Sequence, residues 1–262
     1  MTTPQRLVFG EVAELYDASR PTYPQRLIDD LIELAGLHHG LRALEVGAGT
    51  GKATTRFAAR GVSVLAVEPS AAMAAVARRN CAAYPQVQII ETDFERWDPA
   101  GETFSLLYSA QAWHWIDPEV RFQRARAALA PGGLLAAFWN RPAWGRSELR
   151  DALVAAYRTA APDLAPDGPM HPANQSPDAD QDWPGDVAAA GGFDEAAVRF
   201  YEWNVDYRAD AYTGLLGTLS EIRLLDEEQR RALRAAVGET IGEHGGTLTM
   251  PLATRVCLAR AA

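Results

Sequence analysis

The feature that most limits how this chain can fold is an alternation, from Ala43 onward, of short apolar strand-like runs with amphipathic helical stretches joined by brief turns. Ala43 to Val46 reads as a buried strand, Thr50 to Arg60 as a helix closed by Gly61, and Val62 to Val67 as a second strand. Ser70 caps a helix through Asn80 that carries Met73, Val76 and Ala77 on one face. Further strands fit Val87 to Ile90 and Phe104 to Ser109. Asp117 and Pro118 open a helix whose Phe122, Ala125 and Leu129 face inward, and Pro131-Gly132-Gly133 then turns the chain into a fifth strand, Leu134 to Trp139. Repeated strand–helix–strand units need right-handed crossovers and a parallel sheet covered by helices on both faces. The expected class is therefore α/β, a doubly wound sheet.

The flanks are looser. Phe9, Val12, Ala13, Leu15 and Tyr16 suggest a short amphipathic helix, broken by Pro21 and Pro24. Leu27, Ile28, Leu31, Ile32 and Leu34 keep helical spacing up to Gly36 and Gly40. Ser147 to Ala161 reads as a helix, and Pro162 to Gly185, rich in proline and aspartate, as a long loop or lid. A sixth strand fits Val198 to Val205, helices fit about Asp210 to Leu225 and Asp226 to His244, and a last strand fits Leu252 to Leu258. We expect one domain over 1–262, with a core at about 36–140, 191–205 and 250–262 and lid elements at 1–35, 141–190 and 206–247.

Composition narrows the partners. The 262 residues carry a formal net charge of -9, which repels phosphate backbones and anionic membranes. No basic stripe offsets it: Arg230, Arg231 and Arg234 sit beside Asp226, Glu227 and Glu228, as on a solvated helix face. Cys81 and Cys257 lack metal-type spacing and fit a reducing compartment, so no metal is expected. Met1 to Gly10 lacks the apolar run of a signal peptide, and no stretch approaches the ~20 apolar residues of a membrane span. The expectation is a soluble cytoplasmic monomer or homodimer that acts on a small molecule and takes neither nucleic acid nor a membrane span.

The turn after the first strand reads Glu45-Val46-Gly47-Ala48-Gly49-Thr50-Gly51. Glycines there let a ligand approach the backbone and leave helix N-terminal amides facing negative charge, although such a turn also simply makes a tight corner. The spacing of Gly47, Gly49 and Gly51 departs from the dinucleotide fingerprint G-x-G-x-x-G. Glu45 precedes the glycines. Glu68 ends the second strand, close to the ~20-residue offset at which an acid takes ribose hydroxyls. Asp93 follows the third strand, where a carboxylate can accept from an adenine amino group. Each acid alone has a bland reading as a strand-end or cap residue. Three at the ends of successive strands beside one crevice point to a ligand.

These residues, with Val67-Glu68-Pro69-Ser70, Thr92-Asp93-Phe94 and Leu129-Ala130-Pro131-Gly132-Gly133-Leu134-Leu135, resemble the class I S-adenosylmethionine (SAM)-dependent methyltransferases. The similarity spans about Phe9 to Trp139 and is nearest to the small-molecule branch of ubiquinone/menaquinone- and trans-aconitate-type enzymes. It implies a Rossmann-like seven-stranded sheet with the last strand antiparallel and helical lid insertions. It also implies SAM as cofactor: Gly47, Ala48 and Gly49 against its methionine part, Glu45 near the amino group, Glu68 and Pro69 at the ribose, Asp93 and the Phe94 amide at the adenine. Met73 would line the adenine pocket or be ordinary core. Tyr16 and Arg20 resemble a lid entry and are candidates to meet the cofactor carboxylate, or else pack and face solvent.

Ser109-Ala110-Gln111-Ala112-Trp113-His114-Trp115-Ile116-Asp117 follows the fourth strand and would face the methyl group. Ser109 is a cofactor candidate, and Gln111, Trp113, His114 and Trp144 are candidates for the acceptor pocket. His114 is the candidate general base, because histidine titrates near neutrality; a histidine between two tryptophans is also an ordinary packed residue. Other aromatic or imidazole side chains in the lid are Trp183, Trp203, Tyr207, Tyr212 and His171. Rival functions are a non-catalytic SAM-binding protein and a nicotinamide-dependent oxidoreductase, the latter disfavoured by the glycine spacing and Asp93. A nucleic-acid methyltransferase is disfavoured by charge and by the absence of an Asn/Asp-Pro-Pro-Tyr/Phe motif.

Overall fold

A computed structural model describes residues 13–37, 41–162, 164 and 182–262. The helices are α1 (Ala13–Ser19), α2 (Gln25–Leu34), α3 (Lys52–Ala58), α4 (Ala71–Asn80), α5 (Arg121–Ala128), α6 (Glu148–Ala160), α7 (Trp183–Ala190), α8 (Ala209–Leu216), α9 (Ser220–Arg223) and α10 (Glu227–Glu243). The strands are β1 (Arg42–Val46), β2 (Ser63–Glu68), β3 (Val87–Glu91), β4 (Phe104–Ala110), β5 (Leu129–Pro142), β6 (Phe193–Arg208) and β7 (Thr247–Ala261).

The strands form one seven-stranded sheet in the order β3-β2-β1-β4-β5-β7-β6. β1 to β5 pair in parallel, and β7 runs antiparallel to both neighbours, as the sequence led us to expect. The chain winds outward from β1 to β3 and then returns to the other side of β1 with β4. A crevice opens where the order reverses, between the carboxyl ends of β1 and β4.

The period-2 alternation of side chains sends each strand's residues to two cores. Leu44, Val46, Leu107, Leu135, Trp139 and Cys257 pack on one face with Trp113, Phe122 and Trp183. Ala43, Ala66, Leu106, Ala136, Phe138 and Val256 pack on the other with Leu27, Ile28, Leu31 and Phe57. A third cluster joins α6, α8 and α10 to the outer ends of β6 and β7 through Leu153, Tyr157, Leu216, Val237, Ile241, Tyr207 and Leu248.

Several boundaries differ from expectation for physical reasons. Gly51 adopts φ +83° as the cap of α3, so that helix starts at Lys52 rather than Thr50 and ends at Ala58, before Arg60. Leu129 is not a helical residue: it opens β5 and pairs with Phe104, and Pro131-Gly132-Gly133 lies inside the strand across a register shift. A Cβ on Gly133 would stand 2.9 Å from the Ala130 carbonyl, so the bulge requires glycine there. β6 and β7 are twice the expected length, because their outer ends pair with each other and bury Tyr207, Leu248 and Met250 in the third cluster. The helix expected at about Asp210 to Leu225 breaks after Leu216. Trp183 belongs to α7 and is fully buried, so the expected loop stops short of Gly185. Phe9, Val12, Gly40, His171 and most of 162–185 lie outside the described residues.

Candidate functional site

The crevice is floored by the turn after β1. Gly47, Gly49 and Gly51 have φ of +72°, +57° and +83°, backbone that L side chains rarely adopt. Gly47 and Ala48 donate to the Val67 carbonyl (2.9 and 3.2 Å), which ties the turn to β2. A Cβ on Gly47 would lie 2.4 Å from the Ala112 Cβ, so the turns after β1 and β4 touch here. Above Gly49 nothing lies within 4 Å, which leaves its backbone open to a ligand.

Three acids ring this turn. Glu45 is 1% exposed; its Oε2 accepts from Thr54 Oγ1 (2.5 Å) and Tyr108 OH (2.9 Å), while buried Oε1 has no partner. Burial first, and the Glu68 charge after it, push its carboxyl up to about 8. Glu68 accepts from the Gly49 amide at Oε2 (2.8 Å) and the Ser70 amide at Oε1 (2.9 Å), so one carboxylate binds the glycine turn to the α4 cap. Burial pushes Glu68 up as well. Each oxygen keeps a lone pair for a further donor. Asp93 opens onto a cavity of about 370 Å³ that it lines with Glu95, Arg96, Trp115 and Asp117. Phe94 beside it is buried, and its carbonyl accepts from Arg124 Nε (2.8 Å).

The N-terminal segment closes one end. Lys52 Nζ donates to the Asp17 carbonyl (2.6 Å), and Asn80 Nδ2 bridges Asp17 Oδ1 (3.0 Å) and the Thr50 carbonyl (2.9 Å). These bonds pin α1 over the start of α3. Tyr16 packs on Met73, Val76 and Ala13, so Met73 is core beneath the lid entry. Arg20 lies over the Tyr16 ring and gives Nε and Nη2 to Thr218 (2.8 and 2.9 Å), turning two of its donors toward the third cluster. A relay from Trp203 through Thr254 and Asn140 reaches the Thr22 carbonyl and anchors the proline-rich segment to β5.

The turn after β4 makes the facing wall. Gln111 has φ +62°, a left-handed strain uncommon outside glycine, and its amide donates to Phe138 O (2.8 Å). Trp113 is fully buried and stands edge-on to Phe122 (5.4 Å) and Trp183 (6.2 Å). His114 is half-buried and its Nδ1 accepts from Trp139 Nε1 (3.2 Å). Ser109 is fully buried and donates to the Val46 carbonyl (2.9 Å), so its hydroxyl braces β1 against β4. Trp144 packs with the third cluster. Sequence reasoning missed Thr54, Tyr108, Lys52, Asn80 and Trp139, which act across separations that no local motif marks.

The residues present fit SAM. An unpartnered buried carboxyl oxygen suits an ammonium, an open glycine backbone suits a close ligand, and two further acids suit hydroxyl and amino donors.

Residues 43–133 match a methyltransferase domain family. The chain is 39% identical over 134 residues to an uncharacterized methyltransferase of Mycobacterium tuberculosis, covering 51% of this chain and 52% of that protein. It is 29% identical over 130 residues to a candidate S-adenosylmethionine-dependent methyltransferase of Saccharomyces cerevisiae, covering 47% and 43%. The chain thus spans about half the length of the curated relatives it matches. In fold it is similar to a candidate type II methyltransferase from Anaeromyxobacter dehalogenans (TM-score 0.62, 24% identity, 92% and 97% covered). It is also similar to Haemonchus contortus phosphoethanolamine N-methyltransferase 2 in complex with SAM (TM-score 0.55, 15% identity, 100% and 60% covered). Residues 43–133 thus carry a methyltransferase domain, on a fold similar to that of solved methyltransferases.

Proposed function

We propose that this protein transfers the methyl group of SAM to a small-molecule acceptor seated between the glycine turn and the turn after β4. The observation that carries this is Glu45: a carboxyl 1% exposed, with a buried oxygen that has no partner and no described cation in ion-pair range. Burial keeps this carboxyl protonated, and a cation set against its unpartnered oxygen would favour the ionised form, so the site is complementary to an incoming cation. Glu45 would hold the cofactor's ammonium, Gly47, Ala48 and Gly49 its methionine backbone, Glu68 and Pro69 its ribose, and Asp93 and Phe94 its adenine. Tyr16 and Arg20 would close over the methionine end.

The cofactor brings a methyl group on a sulfonium, whose positive charge makes it a ready leaving group. The protein then has to position the acceptor, aligned and close to the methyl carbon, and exclude water. Gln111 and His114 form the wall suited to that task, braced from behind by the fully buried Trp113. The lid elements at 1–35, 141–190 and 206–247, with the core segments between them, act as one unit over the site. The third apolar cluster, which Trp144 joins, supports this. The net charge of -9 supports a small-molecule acceptor over nucleic acid. No described helix is long and apolar enough to cross a membrane, and we take the protein as a cytoplasmic monomer or homodimer.

The test is incubation with methyl-labelled SAM and a small-molecule extract. Label in the low-mass fraction supports the proposal. Tight SAM binding with no transfer to any fraction makes this a SAM-binding protein that is not an enzyme.

A further inference from the structure

Lys52 is the only lysine among the chain's 25 lysine and arginine residues, and it opens α3 directly after the glycine turn. Its Nζ stands 2.6 Å from the Asp17 carbonyl and 3.9 Å from Asp17 Oδ1. In a continuing helix that carbonyl would accept from the amide four residues on, but this residue is Pro21, which has no N–H. The neighbouring Tyr16 carbonyl is already satisfied by the Arg20 amide (2.9 Å). Lys52 therefore supplies the missing donor at the carboxyl end of α1, where the helix dipole also favours a positive charge. A second tie runs beside it. Asn80 joins Asp17 Oδ1 to the Thr50 carbonyl, so both residues flanking Gly51 are connected to the same residue of α1. α1 has seven residues, too few to stand as a helix without such support. Its exposed pair of Glu14 with Arg79 adds little.

At its other side α1 seats on α8, where a Cβ on Gly214 would lie 2.8 Å from Ser19 Oγ, and Arg20 just beyond it bonds Thr218. α1 thus bridges the glycine turn and the third cluster. We propose that Lys52 is the positioning residue that fastens α1 beside the methionine end of the cofactor site, and so sets how slowly SAM leaves. This rests on the SAM site proposed above. Lys52 acts through α1. With its bond made, Tyr16 and Arg20 are held near the glycine turn; with it lost, the Asp17 carbonyl has no donor and α1 frays from its carboxyl end, taking both with it. Lys52 follows the turn in sequence, so a cofactor that steadies the turn also steadies the pin, and by linkage the pin steadies the cofactor. A compact ammonium suits the single carbonyl, whereas the flat guanidinium fork is built for paired oxygens.

The test has two arms, both on the full chain. The first measures the dissociation rate of labelled SAM on dilution into excess S-adenosylhomocysteine. Lys52→Met keeps the apolar stem but loses the charge and every N–H, and should release SAM about tenfold faster, the worth of one charge-assisted hydrogen bond. Lys52→Arg restores a charged donor and should stay within about threefold of wild type. An unchanged rate in Lys52→Met, or equal acceleration in both variants, overturns the proposal. The second arm uses the wild type alone, so it decides even if Lys52→Met fails to fold. N-hydroxysuccinimide acetate has one lysine to find in this chain, and burial, the main influence on its ammonium, lowers it below the usual lysine range and favours the reactive amine. Saturating SAM should slow acetylation of Lys52, read by peptide mass, about tenfold, while the terminal amine reacts as before. No protection by SAM overturns the proposal. Calorimetry of the wild type separates the two claims. If SAM does not bind, the cofactor reading falls and the pin with it; if SAM binds but neither rate moves, only the pin falls.

Discussion

On the β1–β3 side of the crevice the groups facing a ligand are backbone amides and carboxylates, whereas on the β4–β5 side they are rings. The first side is rigid because two of its acids are also structural ties: Glu68 joins the Gly49 and Ser70 amides, and Glu45 joins Thr54 to Tyr108. The second side is rigid because Trp113, Trp183 and Phe122 fill the space behind it. Polar ties suit a ligand that is always the same, since each bond demands one geometry. A wall of rings backed by packing sets shape and one or two bond directions, and so tolerates divergence in the acceptor. The difference teaches where each half of a transferase keeps its specificity.

The largest effect expected on the ring side comes from Trp183→Ala. It removes a fully buried indole and its bond to Leu258, and should cost about 3–5 kcal/mol in urea unfolding. If SAM affinity of the folded fraction stays within a few-fold while methyl transfer collapses, the two sides are independent. Equal loss of both would break the comparison.

Gly47 joins the two sides, so Gly47→Ala should cost about 2–4 kcal/mol and distort the His114 turn, since the new Cβ meets Ala112 at 2.4 Å in a left-handed backbone. Gly49→Ala has the strain without the contact and should cost ~1 kcal/mol, while still blocking cofactor approach. Thermal unfolding of the pair, read beside SAM calorimetry, checks this; similar destabilisation by both would contradict the contact.

On the acid side, Glu45 carries a pH dependence. Burial raises its carboxyl from 4.5 to about 8, so the folded chain keeps a proton that the unfolded chain releases. Its contribution to stability is full below about 4.5 and is lost as pH climbs toward about 8. Cofactor-free Glu45→Gln should therefore lose less stability between those pH values than the wild type, by on the order of 2–4 kcal/mol. It should also bind SAM about tenfold more weakly, for want of a charge. Parallel stability–pH curves for the two proteins would show that Glu45 ionises freely. The smallest effect lies outside both sides: Arg79→Ala removes an exposed pair with Glu14 and should leave the melting temperature unchanged.

How much of this the sequence disclosed follows from range. The β1 turn, Glu68 and Asp93 were legible because strand periodicity places each at a strand's carboxyl end. β6 and β7 run longer than their sequence suggests, because their outer ends pair only with each other and bury Tyr207, Leu248 and Met250 against helices distant in sequence. Leu129 misled because an apolar residue at helical spacing also suits a strand start. His114 was visible as a candidate, but its partner Trp139 lies 25 residues away on another strand, and only the fold decides which nitrogen keeps the proton. The proline and aspartate around Trp183 suggest a loop, but the same residues make a good helix start, with Asp182 as cap.

The central claim, that the β1–β3 side is a SAM site, is tested most directly by titration calorimetry of the full-length protein with SAM, S-adenosylhomocysteine and NADH, run beside Asp93→Ala. Both sulfur compounds should bind at one site, NADH should not, and the variant should lose about tenfold in affinity. Binding of NADH with no heat from either sulfur compound would contradict the account.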